Sequence, residues 1–193
     1  MSEGERLRTY RWTRREYGQL IKYRLLDEDD PVELVDGLLL VKEPQYTPHA
    51  TGTALVAEAL RTAFGPGWHV REQHPMALDD RSEPEPDVCV VPGSARDYLV
   101  THPTGAALVV EVAASGLAIA RGRKAAMYAR NGIADYWVLN LLDRVLEVHR
   151  EPVRRPGTRY RWGYGAIDLI HPEGSVSPLA LPAVRILVAD LLP

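Results

Sequence analysis

The chain has 193 residues, 46% hydrophobic and 25% charged, a balance that excludes wholesale disorder and suffices for a buried core without disulfides or structural metal. Its net charge of −3 does not draw polyanions to the molecule as a whole, so a nucleic-acid contact calls for a local basic surface or a metal. The start, "MSEGERLRTYRWTRREYG", is too polar for a signal peptide, and no later segment approaches the roughly 18 uninterrupted apolar residues of a membrane span, so a cytoplasmic location without membrane contact is expected.

Thr13 and Glu16 have capping-box spacing, and Tyr17, Leu20, Ile21 and Arg24 follow at helical intervals, which predicts a short opening helix. In "ELVDGLLLV" Asp36-Gly37 stands between two apolar runs, the strongest short-range hairpin signal. From Thr47 to Phe64 a long helix is predicted, stopped by "GPG". "WHVREQHPMAL" alternates as a half-buried strand does, while "DVCVV" and "AALVVEVA" are the continuous apolar runs of central strands. Between Leu117 and Asn131 the helical pattern returns, with Asn131-Gly132 as its stop. "DYWVLN" and "RVLEVHR" read as a hairpin about "LLD", "TRYRWGYG" and "AIDLI" as two further β pieces, and "LPAVRILVADLLP" closes the chain. Helices alternating with strands in this order predict an α/β sandwich about a mixed sheet.

Two acids are misplaced by hydrophobic logic. Asp87 stands at the mouth of one apolar run and Glu111 inside the next, and an unpaired buried carboxylate is costly. On adjacent central strands they converge, and two converging carboxylates repel unless a cation or proton intervenes. Mg2+, with Mn2+ as a second possibility, suits such a site, because it is held by one or two carboxylates, keeps several waters and handles phosphates. A backbone carbonyl beside Glu111, that of Val112, completes the protein's share. The two prolines of "PEPD" supply a rigid, extended approach that fixes where Asp87 points. A lone acid here would be read as a turn cap or an arginine partner; the pair followed by a lysine points to chemistry instead. Lys124 lies on the next predicted helix with Tyr128 four residues on and so on the same face. Its ammonium can reach back to orient a water or neutralise developing charge.

Around this set, His49 opens the first long helix, where N–H groups favour a phosphate, although a helix-entry histidine with only local contacts explains it at least as well. Arg121, Arg123 and Arg130 cluster beside Lys124 and offer contacts to a nucleic-acid backbone, or a solvated helix face. "HREPVRRPGTRYRWGY" gathers five arginines with Tyr160, Trp162 and Tyr164; their alternation favours an ordinary strand over a single-strand grip. Cys89, inside an apolar run, reads as a core residue. The remaining histidines lack zinc spacing, and no phosphate loop, dinucleotide fingerprint or nucleophile elbow is present.

Taken together, "ELVDG", "PHA", "PEPDVCVV", "LVVEV", "RGRKAAMYARNGIADYWVLN" and "VRILVADLL" resemble the Uma-type restriction endonuclease family of the PD-(D/E)XK nuclease superfamily, from about Glu33 to the C-terminus. The resemblance implies a restriction-endonuclease-like core: a mixed central β-sheet flanked by α-helices, with extra β-hairpins. It implies one domain over residues 1–193, with an N-terminal helix and hairpin in 1–45, a nuclease-like core in 46–141 and a β-rich part in 142–193. Asp87 is then the motif aspartate and Glu111 the second metal ligand. The superfamily's lysine position two residues after that acid is Ala113 here, and the Uma-type pattern places the lysine on the following helix, where Lys124 stands. Ala120, the loop "AASG" and Asn140 replace an aspartate, a Ser-Pro-Ser type turn and a second aspartate. The expected function is metal-dependent hydrolysis of DNA, with Asp87, Glu111 and Lys124 at the reaction and His49, Arg121, Arg123 and Tyr128 on the substrate. The competing expectation is a nuclease-like module that binds nucleic acid or protein without cutting. Cutting both strands of a duplex calls for two active sites, which a homodimer would supply.

Overall fold

The apolar runs in the middle of the chain lie side by side in the computed structural model, which describes residues 9–27, 30–42 and 46–193. The stretch read against a signal peptide includes residues 1–8, which lie outside the described residues. Helix α1, Arg14–Lys22, begins at the predicted capping box: the Glu16 N–H donates to Thr13 Oγ1, and the Thr13 N–H donates to the Glu16 carboxylate. Strands β1, Val32–Val35, and β2, Leu38–Val41, form the predicted hairpin. Its turn holds Asp36 and Gly37 at φ 52° and 75°, the double left-handed geometry that favours Asp-Gly.

Helix α2, Thr47–Phe64, follows. Then come β3, Trp68–Glu72, β4, Val88–Pro92, and β5, Leu108–Ala113. After a helical crossover come β6, Asp135–Asn140, β7, Val145–Arg154, and β8, Trp162–Ile170. These six strands form one sheet in chain order. Neighbours are antiparallel except β5 and β6, the one pair that needs a crossover connection. The sheet is therefore mixed, as expected.

The twofold repeat of the strands sorts the core into two layers. Val88, Val90, Leu108 and Val110 pack with α2, and the closing segment adds Val176, Ile186 and Leu191 to that layer. Cys89, Val91 and Val109 face the other way, against the crossover. Among the described residues no helix is long and apolar enough to cross a membrane.

Three elements differ from the sequence reading. The half-buried strand from Trp68 stops at Glu72, because Gln73 turns to φ 52° and donates its N–H to the carbonyls of Pro86 and Asp87. The two β pieces near the end are one strand, β8, which starts after Arg161 at positive φ. The crossover is not one regular helix: α3, Leu117–Ile119, runs through a wider π turn, Ala120–Lys124, into α4, Ala125–Arg130. Such turns insert an extra residue and are frequent at functional sites; here it ends on Lys124.

Candidate active site

Asp87 directly precedes β4, whose first residue, Val88, pairs with Val110 of β5. One step further along this register, Asp87 lies beside Glu111. Its Oδ2 accepts the Val112 N–H at 2.8 Å, so a side-chain oxygen caps the end of the β4–β5 ladder. That bond rewards a charged residue at the strand mouth. His49, in the first turn of α2, places Nε2 3.3 Å from the same oxygen. Its pKa is raised, first by the hydrogen bond with Asp87, against the opposing effect of burial.

Glu111 points to the crossover side of the sheet. Lys124 Nζ donates to both its oxygens, at 2.9 and 3.0 Å, and the Tyr128 hydroxyl donates to Oε1 at 2.8 Å. Lys124 closes the π turn and Tyr128 lies in α4, so the four-residue spacing delivers both donors to one carboxylate, whose position they fix.

A third acid, overlooked in the sequence, completes the arrangement. Glu33 of β1 lies 2.9 Å from Lys124 Nζ through Oε1, while its Oε2 accepts the Glu85 N–H at 2.9 Å. Its signal was the one that exposed Asp87 and Glu111, a charge inside an apolar strand run. The hairpin turn beside it drew the reading to Asp36-Gly37.

Glu33, Asp87 and Glu111 are 4%, 9% and 6% exposed, and Lys124 is 8% exposed. Three buried carboxylates thus face one buried ammonium. Burial, then Asp87 and Glu33, push the Glu111 carboxyl up to about 7 although Lys124 pulls it down. Burial alone would lower the Lys124 pKa, but Glu111, Glu33 and Asp87 outweigh it and hold the amine protonated. Lys124 is consequently a fixed cation, unsuited to accept a proton.

These groups line a cleft of about 220 Å³, with Val41, Tyr46 and Ile119 also on its wall. Of the residues expected on substrate, His49 lines this cleft, whereas Tyr128 lies beneath it, buried against Glu111. Arg121 and Arg123 are turned elsewhere. Arg121 Nε donates to both oxygens of Glu147 on β7, at 2.9 and 3.1 Å. Arg123 lies 3.6 Å from Asp36 and over the Tyr160 ring. Asn140 likewise serves Glu147, donating to its Oε1 at 3.1 Å.

Hard oxygen donors, a surplus of buried negative charge and a carboxyl pushed toward its neutral form are together what a divalent cation would relieve. Among the described residues no three His, Cys, Asp or Glu side chains form one metal-binding group, so an ion here would rest on two carboxylates, those of Asp87 and Glu111. That number is typical of Mg2+ sites.

The family described as "Uma2: Putative restriction endonuclease" matches residues 15–182. The chain belongs to the Uma2 family. No curated protein matches it. Among solved structures, this Uma2 chain is similar to the crystal structure of a "putative nuclease belonging to DUF820" from Anabaena variabilis ATCC 29413. The TM-score is 0.66 at 13% identity, over 89% of this chain and 96% of that one. At that identity the likeness establishes the fold: a mixed six-stranded α/β sheet with flanking helices. Membership of the Uma2 family points to a nuclease, and restriction-endonuclease-like families typically use divalent metals.

Proposed function

We propose that this Uma2 protein is a metal-dependent DNA endonuclease whose reaction is centred on Asp87, Glu111 and Lys124. The observation that carries the reading is the imbalance of three buried acids with one ammonium at the floor of a cleft. Asp87 and Glu111, with the Val112 carbonyl, would hold Mg2+ or Mn2+. The bound ion would supply a water more easily deprotonated than bulk water and stabilise charge on the phosphate.

The chain's own groups divide the remaining work. The Val112 N–H and His49 orient the Asp87 carboxylate, and Tyr128 and Lys124 orient that of Glu111. Lys124, held protonated, steers a water by donating to its oxygen and offsets negative charge as the phosphodiester bond breaks. Glu33 holds the ammonium from its far side. His49, raised in pKa by Asp87, presents positive charge beside the cleft at mildly acidic pH and favours a phosphate there.

The test titrates Mg2+ or Mn2+ against the wild type and Asp87→Ala, following melting temperature and cleavage of plasmid and single-stranded DNA. Cation-dependent stabilisation and cleavage, both lost in the variant, are expected. Unchanged melting and no cleavage would instead leave a nuclease-like module that binds without cutting.

A further inference from the structure

Away from the cleft, arginines distant in sequence converge. Arg11 ahead of α1, Arg81 ahead of β4, Arg123 and Arg130 of the crossover, and Arg159 with Tyr160 of the β7–β8 turn line one open hollow of about 600 Å³. Asp36, Asp79 and Asp80 line it too, so five guanidiniums meet three carboxylates in a chain whose net charge is −3. This is the local basic surface that the overall charge requires of a nucleic-acid-binding protein.

The acids do not neutralise the arginines evenly. Asp36 and Asp79 each hold Arg130 at 2.7 Å, and Asp36 lies 3.6 Å from Arg123. Arg11 donates to the Asp36 carbonyl at 2.8 Å. Among the described residues, Arg81 and Arg159 form no ion pair with a carboxylate, and both are exposed. Tyr160 organises one wall: the Arg123 and Arg159 guanidiniums lie 5.3 and 5.5 Å from its ring centroid. The ring packs on the bare backbone of Gly122, where a Cβ would stand 3.2 Å from it. A guanidinium laid over an aromatic ring keeps its N–H fork for bidentate contact with phosphate.

Hollow and cleft share their supports. Arg123 lines the hollow and Lys124 the cleft; Asp36 and Glu33, at the turn and in the strand of one hairpin, do the same. Three residues of extended chain separate the latter two by about 10 Å, within the reach of a few nucleotides.

We propose that this hollow is a second phosphate-binding site, which holds the backbone of the DNA strand beside the cleft and positions it without touching the reacting atoms. The choice of DNA as occupant rests on the nuclease reading; the hollow itself rests on the converging arginines. The test measures binding of a labelled DNA oligonucleotide over a range of salt without divalent ions, and its cleavage in Mg2+. Arg81→Ala and Arg159→Ala should each weaken binding severalfold and reduce the log-log salt slope by about 1, with the cleavage rate at saturating DNA unchanged. Arg185→Ala, the same charge change on the α2 side of the molecule, should alter neither. Arginine variants that bind and titrate like Arg185→Ala while the wild type cleaves would overturn this proposal alone. A wild type that neither binds nor cleaves DNA would overturn it together with the nuclease reading.

Discussion

Glu111 and Glu147 occupy one row of the sheet, since Glu111 pairs with Val138 and Val138 with Glu147. Both are buried, and both meet a cation from the same π turn, Lys124 for one and Arg121 for the other. Their chemistry nonetheless diverges. Burial pushes the Glu147 carboxyl up, but hydrogen bonds with His149, Arg121 and Asn140 overcome it and lower the pKa to about 2. Glu111 shares Lys124 with Glu33, lies beside Asp87 and is raised instead. One acid is gripped by the Arg121 guanidinium and supported by Asn140 and His149, and is a structural anchor. The other is short of positive charge, as a site built for a cation should be.

The sharpest way to break this distinction is cleavage. Asp87→Ala and Glu111→Ala should each lower single-turnover cleavage of DNA in Mg2+ by on the order of 10³-fold, while Glu147→Gln leaves it near wild type. Equal losses at Glu111 and Glu147 would erase the contrast.

Next in size is the ammonium. Lys124→Met strands the carboxylates of Glu33 and Glu111, and should cost about 3–5 kcal/mol in urea unfolding without divalent ions. Adding Glu33→Gln should recover part of that loss, because it removes one of the stranded charges. A double variant no more stable than Lys124→Met would show that the acids do not compete for the lysine.

The two glutamates should also respond oppositely to neutralisation. Without divalent ions, Glu111→Gln should leave stability unchanged or raise it, since it relieves the surplus. Glu147→Gln should lose about 1–2 kcal/mol, a modest figure because Arg121 is half-exposed and screened. Paired urea melts decide this, and the same sign for both would contradict the charge count.

The smallest effect is in the acid limb. The Glu147 pKa is lowered from 4.5 to about 2, so its contribution is fully present above about pH 4.5 and is lost as pH falls through about 2. In Glu147→Gln that part of the pH dependence should be missing from denaturation curves taken between those values.

Local signals carried much of this into the sequence. The hairpin was legible because Asp-Gly tolerates two left-handed residues, and α1 because its capping box closes within four residues. Asp87 and Glu111 were legible as charges out of place, and Lys124 only through its place after them, in an order the Uma-type resemblance made specific. Glu33 carried the same signal but lay beside a turn that already explained its segment. The partners of Arg121 and Arg123 were hidden, because a basic run on a helix reads alike whether it meets solvent, Glu147 or Tyr160.

By itself the sequence determined which segments become strands and helices, and which acids cannot rest comfortably in the core, because periodicity and desolvation act over a few residues. Only the tertiary structure decided that Glu33 shares the lysine, that Arg121 belongs to Glu147, and that arginines from both ends of the chain meet in one hollow. Those outcomes depend on sheet register and on one extra residue in a helical turn. Both set distances between side chains far apart in sequence, and no local pattern encodes them.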